Sequence, residues 1–182
     1  MFRKITFTGL LLFIVSINSF GQTASPLPAD KIMATAFEEA KDAGKNVFLI
    51  FHASWCGWCK RLDKALQSSE LKDIFEENYV IAHLDVLENG DKIALLENPG
   101  GKEIMKSLGG EKSGLPFYAF IKPDGEKIGN SNVMPKEMNI GYPGSDAEIE
   151  AFGKLLKLSA PKMDDTQLNT ILDYLKKNAP KS

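Results

Sequence analysis

Val47-Phe48-Leu49-Ile50-Phe51 is followed, four residues later, by Cys56-Gly57-Trp58-Cys59-Lys60, and nothing else in the chain constrains its fold as strongly. The five-residue run is apolar without alternation, so it reads as a central strand covered on both faces. Helices on both sides of a sheet provide that cover, which makes the fold class α/β. A helix follows from about Cys59 to Leu66, and Cys56 falls at the junction where it begins. There the Cys56 sulfur faces unpaired backbone N–H groups and the positive end of a helix dipole. Both favour thiolate over thiol, so Cys56 is the expected nucleophile. One turn later, Cys59 is placed to attack a mixed disulfide on Cys56 and release its partner. Gly57 keeps the approach open.

These are the only two cysteines, too few for a disulfide framework. As an inert staple the pair is poor, because a loop this short removes little chain entropy. A zinc site needs further ligands, and His52 and His83 have no suitable spacing to a second pair, so no metal is expected. The 22 Lys+Arg against 24 Asp+Glu give a net charge of −2. Without a basic excess to neutralise phosphates, nucleic acid is excluded as a partner.

Elsewhere the pattern alternates. Asp30 reads as the N-cap of a helix over Met33, Ala36, Phe37 and Ala40, ended by Gly44. Ser69 is expected to cap another over Leu71, Ile74 and Phe75, before a strand from Tyr79 to Val86. A short helix near Lys102–Leu108 precedes a strand at Phe117–Ile121, and Pro123-Asp124-Gly125 turns that strand into a fourth near Glu126–Ile128. Ser145 with Glu148, and Asp164 with Gln167, form capping boxes before two apolar helical stripes. The sheet is therefore expected to be mixed, parallel at first and antiparallel at the hairpin.

The N-terminus reads as a signal peptide, residues 1–21. Arg3 and Lys4 precede an apolar run from Ile5 to Ile17, and the small residues Ser19 and Gly21 place cleavage before Gln22. The run is short for a bilayer span, so no stable membrane insertion is expected after cleavage. The location expected is periplasmic or secreted, where thiols and disulfides are managed deliberately.

Phe48 through Lys60 resembles the active-site strand and helix of the thioredoxin superfamily, above all its secreted members. These include small endoplasmic-reticulum proteins and the C-terminal domains of bacterial transmembrane disulfide reductases. Gly114-Leu115-Pro116-Phe117 resembles the family's loop with a cis proline, and Pro123-Asp124-Gly125 its hairpin turn. The resemblance implies a thioredoxin-like three-layer fold over 22–182, with a core at about 30–160 and an extra C-terminal helix at about 164–178. It implies that Pro116 lies against the sulfurs, that the Leu115 backbone pairs with extended substrate, and that Trp55, Gly57 and Trp58 border the substrate. It further implies thiol–disulfide exchange on protein thiols or disulfides, no cofactor, and a redox partner that resets the dithiol. No histidine stands beside the second cysteine as in DsbA-like oxidases, which favours a reductase. Oxidase, isomerase and a non-catalytic binding module remain alternatives. Two positions depart from the family pattern. Ile50 stands where many thioredoxins have a buried aspartate, and His83 aligns with a frequent lysine, making His83 a candidate proton carrier.

Overall fold

The computed structural model describes residues 25–180; the leader read at residues 1–21 and its cleavage point lie outside them. In chain order the elements are α1 (Ala29–Ala43), β1 (Asn46–His52), α2 (Gly57–Leu66), α3 (Lys72–Asn78), β2 (Tyr79–Asp85), α4 (Lys92–Leu96) and α5 (Gly101–Ser107). They continue with β3 (Phe117–Ile121), β4 (Lys127–Asn130), a 3-10 turn at Pro135–Glu137, α6 (Asp146–Ser159) and α7 (Asp165–Lys177).

The sheet order is β2-β1-β3-β4. β1 pairs in parallel with β2 and antiparallel with β3, and β3 pairs antiparallel with β4. The antiparallel part therefore begins one strand earlier than the hairpin. Alternation along the strands divides the core. Phe48, Ile50, Tyr118 and Phe120 pack against α2, α3, α6 and α7 on one face. Val47, Leu49, Phe51, Phe117 and Ala119 pack against α1 and α5 on the other. All five residues of the 47–51 run are fully buried, as a strand covered on both faces requires. This is the expected three-layer α/β fold with C-terminal helices. The Phe48 and Phe120 rings stack at 4.5 Å in the larger core.

Three local expectations are corrected. Asp30 is not the N-cap of α1: Pro28 is, with no side-chain cap, and the Asp30 carboxylate accepts from the adjacent Lys31 N–H. Ala29 N–H instead donates to the Pro99 carbonyl, so tertiary contact satisfies that end of the helix. Ser69 does not cap α3, which begins at Lys72; the Leu71 and Lys72 N–H groups donate to the Ser68 carbonyl. α2 begins at Gly57, two residues before Cys59, because Cys56 itself supplies the cap. Both capping boxes, at Ser145/Glu148 and Asp164/Gln167, are formed. Helix α4 had no signal, because its apolar residues are all exposed and follow no buried stripe.

Candidate active site

β1 ends at His52, and the turn after it delivers Cys56 to the start of α2. Cys56 has extended backbone angles and its Sγ accepts from the Cys59 N–H at 3.1 Å. The sulfur thus occupies the position where a Ser or Asp oxygen usually caps a helix. Cys56 and Cys59 form a disulfide, with Cα atoms 5.3 Å apart. Both are buried, and Ala53 and Leu115 pack against them. An N–H already aimed at Cys56 Sγ stabilises negative charge there once the disulfide opens.

Trp55 and Trp58 flank the pair and are 51% and 49% exposed, large apolar surfaces left open beside the sulfurs. Trp55 Nε1–H donates to the Leu87 carbonyl at 2.8 Å. Next to Leu87, the buried Glu88 carboxylate accepts from Ser54 N–H and, at 2.9 Å, from Ser54 Oγ–H. The loop after β2 thereby holds the turn that presents Cys56. Leu87 has φ 56°, an unusual conformation for leucine, and Glu88 is buried; neither shows in the pattern of the sequence.

The Leu115–Pro116 peptide bond is cis. Asn139 Nδ2–H₂ donates to the carbonyls of Gly114 and Pro116, at 2.8 and 3.0 Å, and fixes this loop from the far side. Trp58, Leu115, Pro116 and Tyr142 line a cleft of ≈ 620 Å³. The segment 131–144 therefore supplies the support of the Pro116 loop and one wall of this cleft. The Tyr142 ring stacks on Trp58 at 6.4 Å, and Arg61 lies over both rings, 5.8 Å from Trp58 and 5.1 Å from Tyr142.

Ile50 is fully buried in the core beneath α2. His83 pairs with Ile50 across β1 and β2 and lies 3.3 Å from Asp63, through Nε2 and Oδ1. Asp63 stands one turn beyond Cys59 on α2. Its other oxygen is 3.8 Å from His52 Nδ1, while His52 Nε2 is 3.4 Å from Asp85. The two imidazoles are 5.0 Å apart. Sequence reasoning singled out His83 but missed its partners, although Asp63 at four residues after Cys59 shares its helix face. Burial alone raises the pKa of Asp63, but hydrogen bonds from His52 and His83 outweigh it and hold the carboxyl well below the usual range. Burial lowers the pKa of His52, yet the Asp63 hydrogen bond and the Asp85 charge leave it raised. Burial also raises Asp85, against the attraction of His52. Among the described residues, no group of three His, Cys, Asp or Glu is arranged to hold a metal ion.

A three-layer α/β fold with a helix-capping Cys-x-x-Cys disulfide beside a cis proline defines a class. A thioredoxin-like family model matches residues 30–123, and the chain belongs to that family. Over 100 residues it is 32% identical to a protein disulfide-isomerase of Hordeum vulgare, covering 55% of this chain and 16% of the relative. Over 101 residues it is 30% identical to the thiol:disulfide interchange protein DsbD of Vibrio cholerae, covering 56% and 15%. The chain thus spans about a sixth of the length of those relatives. Among solved structures, a disulphide isomerase from Xylella fastidiosa aligns at TM-score 0.48 and 21% identity, covering 82% of this chain and 89% of that one. The C-terminal domain of DsbD from Neisseria meningitidis aligns at TM-score 0.44 and 20% identity, covering 59% and 84%.

Proposed function

We propose that this protein is an extracytoplasmic thiol–disulfide oxidoreductase acting as a reductase of protein disulfides. The observation that carries the reading is the Cys56–Cys59 disulfide at the start of α2, with the Cys59 N–H on Cys56 Sγ. In the reduced protein, the Cys56 thiolate attacks one sulfur of a substrate disulfide. A mixed disulfide forms, and the departing substrate sulfur takes up a proton. Cys59 then loses its proton and attacks Cys56 Sγ, which frees the second substrate thiol and re-forms Cys56–Cys59. Two electrons pass to substrate, so a reducing partner must return two to the protein.

The geometry supports separate roles around the sulfurs. Leu115 and Pro116 form the wall along which an extended substrate lies, and Trp55 and Trp58 border it, with Gly57 leaving the approach open. Apart from its chain neighbours Cys56 and Trp58, no side chain would lie within 4 Å of a Cβ at Gly57. Ile50 takes up no proton, so Cys59 must lose its own to water, to another side chain or to His83. His83, the candidate carrier, is held 3.3 Å from Asp63, which is on the same helix as Cys59. The extracytoplasmic location rests on reading residues 1–21 as a leader.

Two measurements test the reading. Reduced protein with dithiothreitol should accelerate insulin precipitation. Equilibration with glutathione should give a potential nearer that of thioredoxin, about −270 mV, than that of a strong oxidant, about −120 mV. A potential at the oxidising end overturns the direction; absence of any exchange overturns the function.

A further inference from the structure

Adjoining the Pro116 cleft at Trp58, a second cleft of ≈ 740 Å³ opens between α2 and the end of α7. Its size is that of a ligand-binding cleft, about 300–1,000 Å³. It begins at Gly57, the residue after Cys56, and shares Trp58 and Tyr142 with the Pro116 cleft. Lys60, Arg61 and Lys64 lie along it, and no carboxylate lines it. The chain as a whole is net acidic, so this cluster of cations reverses the sign of the surface beside the nucleophile. Among the described residues, neither Lys60 nor Lys64 has an ion-pair partner.

The cleft is built rather than incidental. Arg61 donates to the Asn178 carbonyl at 2.6 Å, which ties the end of α7 to the active-site helix. Tyr174 and Asn178 form the far wall. α7 lies beyond the residues matched by the family model. Its apolar side, Leu168, Ile171 and Leu175, is buried, and its last turns are thereby held rigidly over the cations.

We infer that this cleft binds an acidic segment flanking the target cysteine of the partner protein. The inference rests on the oxidoreductase reading and adds the chemistry of its partner. A chain that crosses Cys56 along Pro116 and continues past Trp58 enters the cleft, where carboxylates meet Lys60 and Lys64 and the backbone lies on the Trp58 and Tyr174 rings. Charge complementarity of this kind raises the association rate and selects among partners.

The test uses the reduced protein from Gln22 onward and three peptide disulfides whose cysteines are flanked by glutamates, glutamines or lysines. Each rate constant is divided by that of the same peptide with dithiothreitol, which removes differences in intrinsic reactivity. The glutamate peptide should react about tenfold faster than the glutamine peptide at low salt, with the preference falling below about twofold at 0.5 M salt. In Lys60→Glu/Lys64→Glu the order of the peptides should invert. The ratio is taken within one protein, so a change in Cys56 reactivity cancels. Lys31→Glu/Lys41→Glu, the same charge change on exposed α1, should keep the wild-type ratio. Equal rates for the three peptides, or an unchanged ratio in the α2 variant, overturn the inference while leaving the oxidoreductase reading intact. An equal preference for glutathione disulfide, a small anion, also overturns it. Failure of all three peptides to react overturns both.

Discussion

Cys56 and Cys59 differ by what surrounds their sulfurs. Cys56 Sγ receives a backbone N–H, whereas Cys59 is the more deeply buried of the two and receives none among the described residues. Cys59→Ser should therefore accumulate mixed disulfides with substrates and Cys56→Ser none, as read on non-reducing gels. Iodoacetamide titration of reduced protein should give Cys56 an apparent pKa below the free-thiol value of about 8.5. Placing an acid in the core beneath α2 is a sharper probe. Ile50→Asp should speed resolution near neutral pH by general-base assistance and lower stability by on the order of a few kcal/mol, since the carboxyl enters an apolar core. His83→Ala should slow resolution only if its imidazole carries the proton, and stopped-flow release of a mixed disulfide from pH 6 to 9 reads both. The histidine–aspartate cluster also has a signature in stability. Asp63 is depressed in the fold, so its contribution is full above its ordinary value of 3.8 and fades as pH falls further. His52 is raised, so its contribution is full below 6.5 and fades as pH rises through its folded value. The stability gap between wild type and Asp63→Asn should therefore be widest between about pH 4 and 6.5, and reach about 1 kcal/mol or less because these groups are partly solvated. Urea melts across that range measure it.

The elements divide between those that stand on local signals and those that stand on contacts. α6 and α7 each begin with a reciprocal capping box, in which the cap side chain takes an N–H and the third residue returns to the cap's own N–H. Ser145→Ala should cost about 1 kcal/mol, seen as a lower urea midpoint with unchanged slope. α7 is attached chiefly through its buried stripe, and Ile171 is fully buried in it. Ile171→Ala should cost about 2–5 kcal/mol and loosen the α7 wall of the basic cleft. Preference for the acidic peptide should weaken in that variant, at a temperature where it remains folded. α1 and α3, by contrast, start without side-chain caps, and this is why reading Asp30 and Ser69 as caps failed. Their first N–H groups are met by the Pro99 and Ser68 carbonyls, which no cap-residue rule identifies.

For the molecule as a whole, export and redox chemistry make one prediction. The protein recovered from its native compartment should begin at Gln22 by N-terminal mass spectrometry, and recovery of the Met1 form in membranes would sink the extracytoplasmic reading. What the sequence determined by itself was the layered α/β class, the four strands, the two C-terminal helices and the Cys-x-x-Cys pair at a helix start. Each of these depends on burial periodicity or on hydrogen bonds within a few residues, and both are written locally. Tertiary structure alone decided what stands around the pair. Glu88 reaches Ser54 across 34 positions, Asp63 meets His83 across 20, and Arg61 meets Asn178 across 117. Asn139 holds the Pro116 loop from 23 residues away. Such partners are polar residues that look like ordinary surface in sequence, and they meet only because the sheet and its two helical layers stack in one register.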